Sequence, residues 1–192
     1  MKKSYIIFGV IGGIILIVFL MYYNAYSGAV AKQENLDEKW NNVQSAYQRR
    51  LDLIPNLVKT VKGAAANEKD ILTKVTNARA GISEGIEGAK TPQDLEIMGQ
   101  KINKAINVTF EAYPEIRSIK NFLELQEQLE GTENRIKTAR DEYNQATKEY
   151  NTHIRGFFNS MFINHETFPR KTGFTADKGS ENAVDVDFED AK

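Results

Sequence analysis

Residues 122–157, FLELQEQLEGTENRIKTARDEYNQATKEYNTHIRGF, place Phe122, Leu129, Ile136, Tyr143, Tyr150 and Phe157 at every seventh position. Leu125, Thr132, Ala139 and Ala146 stand three residues after the first four of them. Steps of seven and three return to one face of an α-helix, so this stretch reads as a long amphipathic helix with a bundle seam. Small residues in the second set let a partner helix approach closely. The spacing predicts a helix from about Glu115 to Ile163, the longest in the chain.

A matching seam lies upstream. Leu36, Trp40, Val43, Tyr47, Ile54, Leu57 and Val61 recur at helical steps, predicting a first helix from the membrane to about Ala66. Arg50 falls on this seam, and Pro55 should kink the helix because it loses a backbone hydrogen bond. Asn67 can cap a second helix, with Glu68 and Asp70 in its first turn and a stripe of Ile71, Val75, Ala78 and Ile82 that fades through Gly81, Gly85 and Gly88. Thr91-Pro92-Gln93-Asp94 is a helix start: N-cap, proline at the first helical position, acid in the first turn. The third helix carries Leu95, Met98, Ile102, Ala105 and Ile106 to about Glu111, and Ala112-Tyr113-Pro114 breaks it.

Ahead of all this lies Tyr5–Tyr23, YIIFGVIGGIILIVFLMYY, an uncharged apolar run. Its length at the helical rise is ~28 Å, close to the ~30 Å hydrocarbon core of a bilayer. Lys2 and Lys3 resemble the basic region of a signal peptide, and Ala29-Val30-Ala31 has the form of a cleavage site. The apolar run is too long for a cleaved leader, however, and Tyr22, Tyr23 and Tyr26 look like an interfacial aromatic belt. A retained anchor is expected, with Tyr5, Gly9, Gly13, Leu20 and Tyr23 among its residues. Gly9 and Gly13 form a G-x-x-x-G, which lets two membrane helices approach, although glycine is common in such helices without that role. Lys2, Lys3 and the amino terminus favour a cytoplasmic N-terminus and a domain on the outer side, periplasmic or extracellular.

The fold class expected is therefore all-α. A transmembrane helix is followed by an elongated antiparallel bundle of four helices, the first and last longest. Residues 1–4 are a basic flank, 5–23 the span, 24–165 the bundle and 166–192 a mobile acidic tail, since Pro, Gly, Ser and acids without periodicity follow Glu166. Helix lengths imply that the membrane-proximal half contains only the first and last helices. Such a pair leaves its apolar stripe half exposed, which invites a second copy or a partner. The same geometry brings Phe157, Phe158, Met161, Phe162 and Ile163 back to the headgroups as a second membrane contact.

Composition closes off several functions. The 25 basic and 26 acidic residues are thoroughly mixed and give a net charge of −1, so no field recruits nucleic acid. With no cysteine there is neither a disulfide framework nor a lipoprotein anchor. His153 and His165 are the only histidines, and His165-Glu166 lacks the second histidine of H-E-x-x-H, so no zinc site is expected. Glu84 and Glu87 read as a solvated face. Gly81, Gly85 and Gly88 follow no strand and make no phosphate loop, and no nucleophile–base pair is present. No cofactor and no small-molecule substrate are called for.

The run Arg49-Arg50-Leu51-Asp52-Leu53-Ile54-Pro55-Asn56-Leu57-Val58, followed by Thr60-Val61-Lys62-Gly63, closely resembles the LemA family. The resemblance continues through Ala78-Arg79-Ala80, Tyr113-Pro114, Thr132-Glu133-Asn134-Arg135-Ile136, Ala139-Arg140, Tyr143-Asn144 and Tyr150-Asn151, covering about residues 5 to 160. Phe157-Phe158 departs from the Phe-Pro common in the family, so the last helix is expected to run on, and the tail matches poorly. The resemblance implies a single-pass bacterial membrane protein with an elongated helical bundle and no established enzymatic activity. It also brings in a relative associated with magnetosome membranes, and with it a membrane-shaping or scaffolding role. Family descriptions often place the short N-terminus outside the cell, the reverse of the charge-based reading.

Arg50, Glu133 and Arg140 lie on or beside core stripes as a bundle polar network. The expectation is an Arg50–Glu133 ion pair that fixes helix register; a ligand site on Arg49, Arg50 and Asn56 is the alternative. Val184-Asp185-Val186-Asp187-Phe188 alternates like a short strand and reads either as a solubilising tail or as a peptide ligand for a sheet edge. Three functions follow: a non-enzymatic membrane scaffold that self-associates, an adaptor for a membrane protein such as a protease, or an envelope sensor. The partners expected are the lipid bilayer and either a second copy or another membrane protein.

Overall fold

The computed structural model describes residues 2–64, 69–112 and 120–175, and these are helical up to residue 155 apart from short turns. Five helices follow in order: α1 Lys2–Leu51, α2 Ile54–Ala64, α3 Lys69–Glu87, α4 Pro92–Ala112 and α5 Lys120–Arg155. The two long ones, α1 and α5, pack against each other as the main pair. Lys32 meets Glu149, Lys39 meets Glu142, and Trp40 meets Tyr143. Partner numbers rise on one helix as they fall on the other, which defines an antiparallel pair. The α3–α4 hairpin packs beside its upper half and completes the four-helix section. The all-α architecture with an apolar N-terminal helix is the one the seams require.

The seam of α5 is buried at Phe122, Leu125, Leu129, Ile136, Tyr143, Ala146 and Tyr150. It meets Leu36, Val43, Tyr47, Leu51, Ile54 and Leu57 from the first helical line, with Ile82, Ile86, Leu95 and Ile102 from the hairpin. Burying side chains of this size is worth roughly 1.5–3 kcal/mol each, which is what orders helices whose exposed faces are almost wholly polar.

Pro55 does more than bend the first helix. It has no N–H to offer the carbonyl of Leu51, so α1 ends at Leu51 and α2 starts afresh at Ile54, with proline in its first turn. Asp52 and Leu53 form the intervening turn, tied by Leu53 N–H to the Arg50 carbonyl at 3.2 Å. The start of α4 follows the sequence signal closely. Thr91 Oγ1 accepts the Asp94 N–H at 3.3 Å, while the Asp94 carboxylate accepts the N–H groups of Lys90 and Thr91 at 3.0 and 2.9 Å. These bonds hold the Asp94 carboxyl below the usual carboxylate range. The proposed Asn67 cap and the Tyr113-Pro114 break lie outside the described residues.

The anchor and the bundle share one helix. Side chains from Tyr5 to Leu20 stand exposed, and burial begins at Ala25 with no loop between. The Ala29-Val30-Ala31 triplet is mid-helix, with Ala29 wholly buried in the core and Val30 and Ala31 exposed. Gly28 marks a close approach of α1 and α5: a Cβ there would lie 2.5 Å from Cε1 of His153.

Two expectations fail at the lower end. The last helix stops at Arg155 rather than Ile163, and Gly156 leads into a short 3₁₀ turn, Asn159–Met161, so Phe157 keeps its heptad number but has left the seam. Asn159 reinforces the stop by donating to the His153 carbonyl at 3.0 Å, which also accepts the Gly156 N–H at 3.3 Å in a tightened last turn. The tail also does not begin at residue 166. Phe168 and Phe174 are buried, and residues 163–175 lie back along the α1–α5 pair as a strap. The apolar stripe that a two-helix base would leave open is therefore covered by the chain itself.

Candidate functional site

The strap is held by a repeated device on α5. Tyr150 Oη donates to the Pro169 carbonyl at 3.1 Å, and seven residues earlier Tyr143 Oη donates to the Thr172 carbonyl at 3.4 Å. Asn151 donates to the Lys171 carbonyl at 2.8 Å and accepts the Lys171 N–H at 3.0 Å. Asn144 treats Phe174 alike, at 3.1 and 2.7 Å. Each Tyr-Asn doublet thus grips the backbone, and the gripped residues are three apart. Seven residues of helix rise ~10.5 Å and three residues of extended chain span ~10 Å, so the two repeats stay in register. Burial raises both phenol pKa values, which keeps the hydroxyls protonated as donors.

Gly173 lets the strap lie this close, since a Cβ there would stand 2.5 Å from Asn144 Oδ1. Phe174 closes the upper end. Its ring stacks on Trp40 at 6.3 Å and meets Tyr143 edge-on at 5.5 Å, and the Arg140 guanidinium lies 4.9 Å from its centre. Arg140 also donates to the Thr175 carbonyl at 3.1 Å and to Glu96 on α4 at 3.0 Å. This one side chain therefore joins strap, hairpin and α5.

Arg50 and Glu133 form an ion pair between α1 and α5. The guanidinium is 14% exposed and the carboxylate 58%, and burial lowers the Arg50 pKa from its ordinary value. Arg140 is not linked to that pair by any described hydrogen bond; it lies further down α5 and answers to Glu96. Arg49 lines an α1–α5 groove with Asn42, Asn134 and Arg135. Arg79 pairs instead with Asp52 at 2.6 Å, across the turn that Pro55 causes.

At the foot of the bundle, His153 Nε2 lies 2.9 Å from the Ala25 carbonyl and Asn159 Nδ2 lies 3.3 Å from its Nδ1. The imidazole thereby joins the turn to the helix that carries the anchor. Phe162 meets Tyr22 edge-on at 6.3 Å, and Phe168 meets Tyr26 at 5.6 Å. Phe157, Phe158 and Met161 face outward at 77, 60 and 70% exposure. Of the five sequence-predicted contact residues, Phe157, Phe158, Met161 and Phe162 are thus grouped beside the end of the span, with Phe162 serving as the link, whereas Ile163 is buried in the core. Within the span, a Cβ on Gly9 or Gly13 would meet nothing within 4 Å. Among the described residues, one helix is long and apolar enough to cross a membrane.

The strap grip was not read from the sequence, although its mark is there: Tyr143-Asn144 and Tyr150-Asn151 repeat a polar partner beside the seam. Among the described residues, no group of three or more His, Asp or Glu side chains could hold a metal ion.

The LemA family model matches residues 39–188. The match begins beyond the anchor and runs through the strap to residue 188, further than the motif resemblance reached. Protein LemA of Metamycoplasma hominis is 22% identical, over 74% of this chain and 65% of that protein. Magnetosome proteins MamQ 2 and MamQ 1 of Paramagnetospirillum magneticum are each 27% identical, over 70% of this chain and 58% of theirs. The chain spans about three-fifths of the length of these relatives.

Proposed function

This chain belongs to the LemA family, and from that premise we propose that it is a membrane-associated, non-catalytic helical scaffold resting on one bilayer at two points. The first is the anchor, Tyr5–Tyr23. The second is the turn bearing Phe157, Phe158 and Met161, tethered to the anchor through Phe162 and Tyr22. The observation that carries this reading is the exposure of three large apolar side chains beside the membrane end of α1. Two aromatic rings and a thioether left in water form a patch of the kind that marks an interaction surface, and bilayer is the apolar phase adjacent to it.

The continuous α1 makes the scaffold stiff. Tilt of the span passes directly into the bundle because no loop intervenes, and the aromatic turn sets that tilt. Lys2 and Lys3 favour a cytoplasmic N-terminus with the bundle on the outer face. With the base stripe closed by the strap, a second copy fits best inside the membrane, where Gly9 and Gly13 leave a flat helix face. The magnetosome names of two relatives agree with work at a membrane surface.

The test is depth-dependent quenching. Phe158→Trp in a Trp40→Phe background is reconstituted into vesicles of phosphatidylcholine carrying brominated acyl chains. Quenching comparable to that of Tyr22→Trp is expected, with little for Leu123→Trp on the distal half. A Trp at 158 that is quenched no more than one at 123 would remove the second contact point.

A further inference from the structure

A cleft of about 430 Å³ opens between α3 and α4, floored by Val75, Ile82 and Ala105, with Val108 at its edge. Lys101 and Lys104 line its α4 side. Val75, Ile82 and Ala105 are buried, Val108 is 42% exposed, and a Cβ on Gly81 would meet nothing within 4 Å. Among the described residues neither lysine has an ion-pair partner. An apolar floor beside two lysines fits an apolar, acidic occupant.

Such a segment exists in the chain. In an extended conformation Val184, Val186 and Phe188 point to one side, and Asp185, Asp187 and Glu189 to the other. Their backbone from 184 to 188 spans ~13 Å, and seven residues of α3 or α4 rise ~10.5 Å, so segment and cleft match in length. The strap delivers the chain in the right direction: it climbs away from the membrane and leaves at Thr175, whose carbonyl is held by the Arg140 that also holds Glu96 on α4. From Glu96 to the middle of the cleft is ~13 Å along α4, and the eight residues 176–183 reach ~26 Å when extended. The family match, which ends at residue 188, includes this segment. It lies outside the described residues.

We propose that Val184–Phe188 of the same chain docks in the α3–α4 cleft, its apolar side on Val75, Ile82 and Val108 and its carboxylates beside Lys101 and Lys104. Tethering favours this occupant over a free peptide, because a short linker holds the segment at millimolar effective concentration. The docked segment clasps the hairpin to the α1–α5 pair. The inference does not depend on the two-point membrane reading.

The chain has no cysteine, so introduced pairs are read without background. Full-length protein in detergent carries Val186→Cys with either Ala78→Cys, in the cleft, or Ile97→Cys, exposed and nearer the end of the strap. Disulfide closure at 78–186 about tenfold faster than at 97–186 is expected, since docking raises local concentration at one site only. Lys101→Glu with Lys104→Glu should erase the difference, and Asp185→Lys with Asp187→Lys added to it should restore it. Equal rates for the two pairs, a 78–186 product with the mass of a dimer, or a rate ratio untouched by charge reversal would each overturn the proposal.

Discussion

Replacing Asn144 or Asn151 by alanine should release the strap locally while leaving α1 and α5 paired. Each asparagine makes two hydrogen bonds to strap backbone. At ~1 kcal/mol net per bond, each substitution costs about 2 kcal/mol, and the double variant about 4 if the sites are independent. With tenfold per 1.4 kcal/mol, the open fraction rises roughly 30-fold for one and on the order of several hundred-fold for both, until opening saturates. Arg170 and Lys171 place trypsin sites inside the strap, with Lys171 itself in the grip of Asn151. Native-state trypsin digestion followed by mass therefore reports opening directly, because cleavage follows the open population when reclosing is fast. Gln145→Ala, on the exposed side of α5, is the control. A double variant cut at 170–171 within twofold of the parent would refute the grip. Cleavage at Lys59 and Lys101 rising in step would refute local opening, since that pattern is global unfolding.

Other outcomes are as specific. Gly28→Ala sets a methyl against the His153 ring, and overpacking of this kind costs about 1–3 kcal/mol, read as a lower thermal midpoint that His153→Ala partly recovers. Because the folded-state pKa of Asp94 is depressed, its contribution is full above the unfolded value near pH 4 and is lost as pH falls through the lower folded value. The midpoint difference between the parent and Asp94→Asn should therefore shrink as pH is lowered from 6 to 2; a difference constant over that range contradicts the cap. For Arg50 and Glu133, a double-mutant cycle to alanine should give a coupling of about 0.5–1 kcal/mol, limited by the exposed carboxylate. Arg50→Ala alone should cost more than Glu133→Ala, since it also removes a buried aliphatic stem.

The places where sequence and structure part company share a cause. Periodicity identifies helices whose apolar face is continuous, so the α1–α5 seam and the Thr91-Pro92-Asp94 start of α4 were plain from residue types alone. It is blind to a segment that packs without a period. Phe168 and Phe174 lie among Pro, Gly and charged residues, and their burial depends on α5 side chains that lie far away in sequence. Ion pairing was legible in kind, since a seam arginine needs a carboxylate, but Arg140 found Glu96 because only assembly brings α4 beside that turn of α5. Phe157 kept its place in the heptad count although the helix had ended, because counting cannot register Asn159 intercepting the His153 carbonyl.

By itself, then, the sequence determined an apolar span fused to a seam of heptads, and with that the membrane, the helices and their antiparallel order. Length, hydropathy and periodicity are properties of the chain, and the bilayer and the helix have fixed dimensions to compare them with. What covers the lower half of the bundle was decided only in three dimensions. There, an extended strap finds its register because three of its residues span what seven residues of helix do.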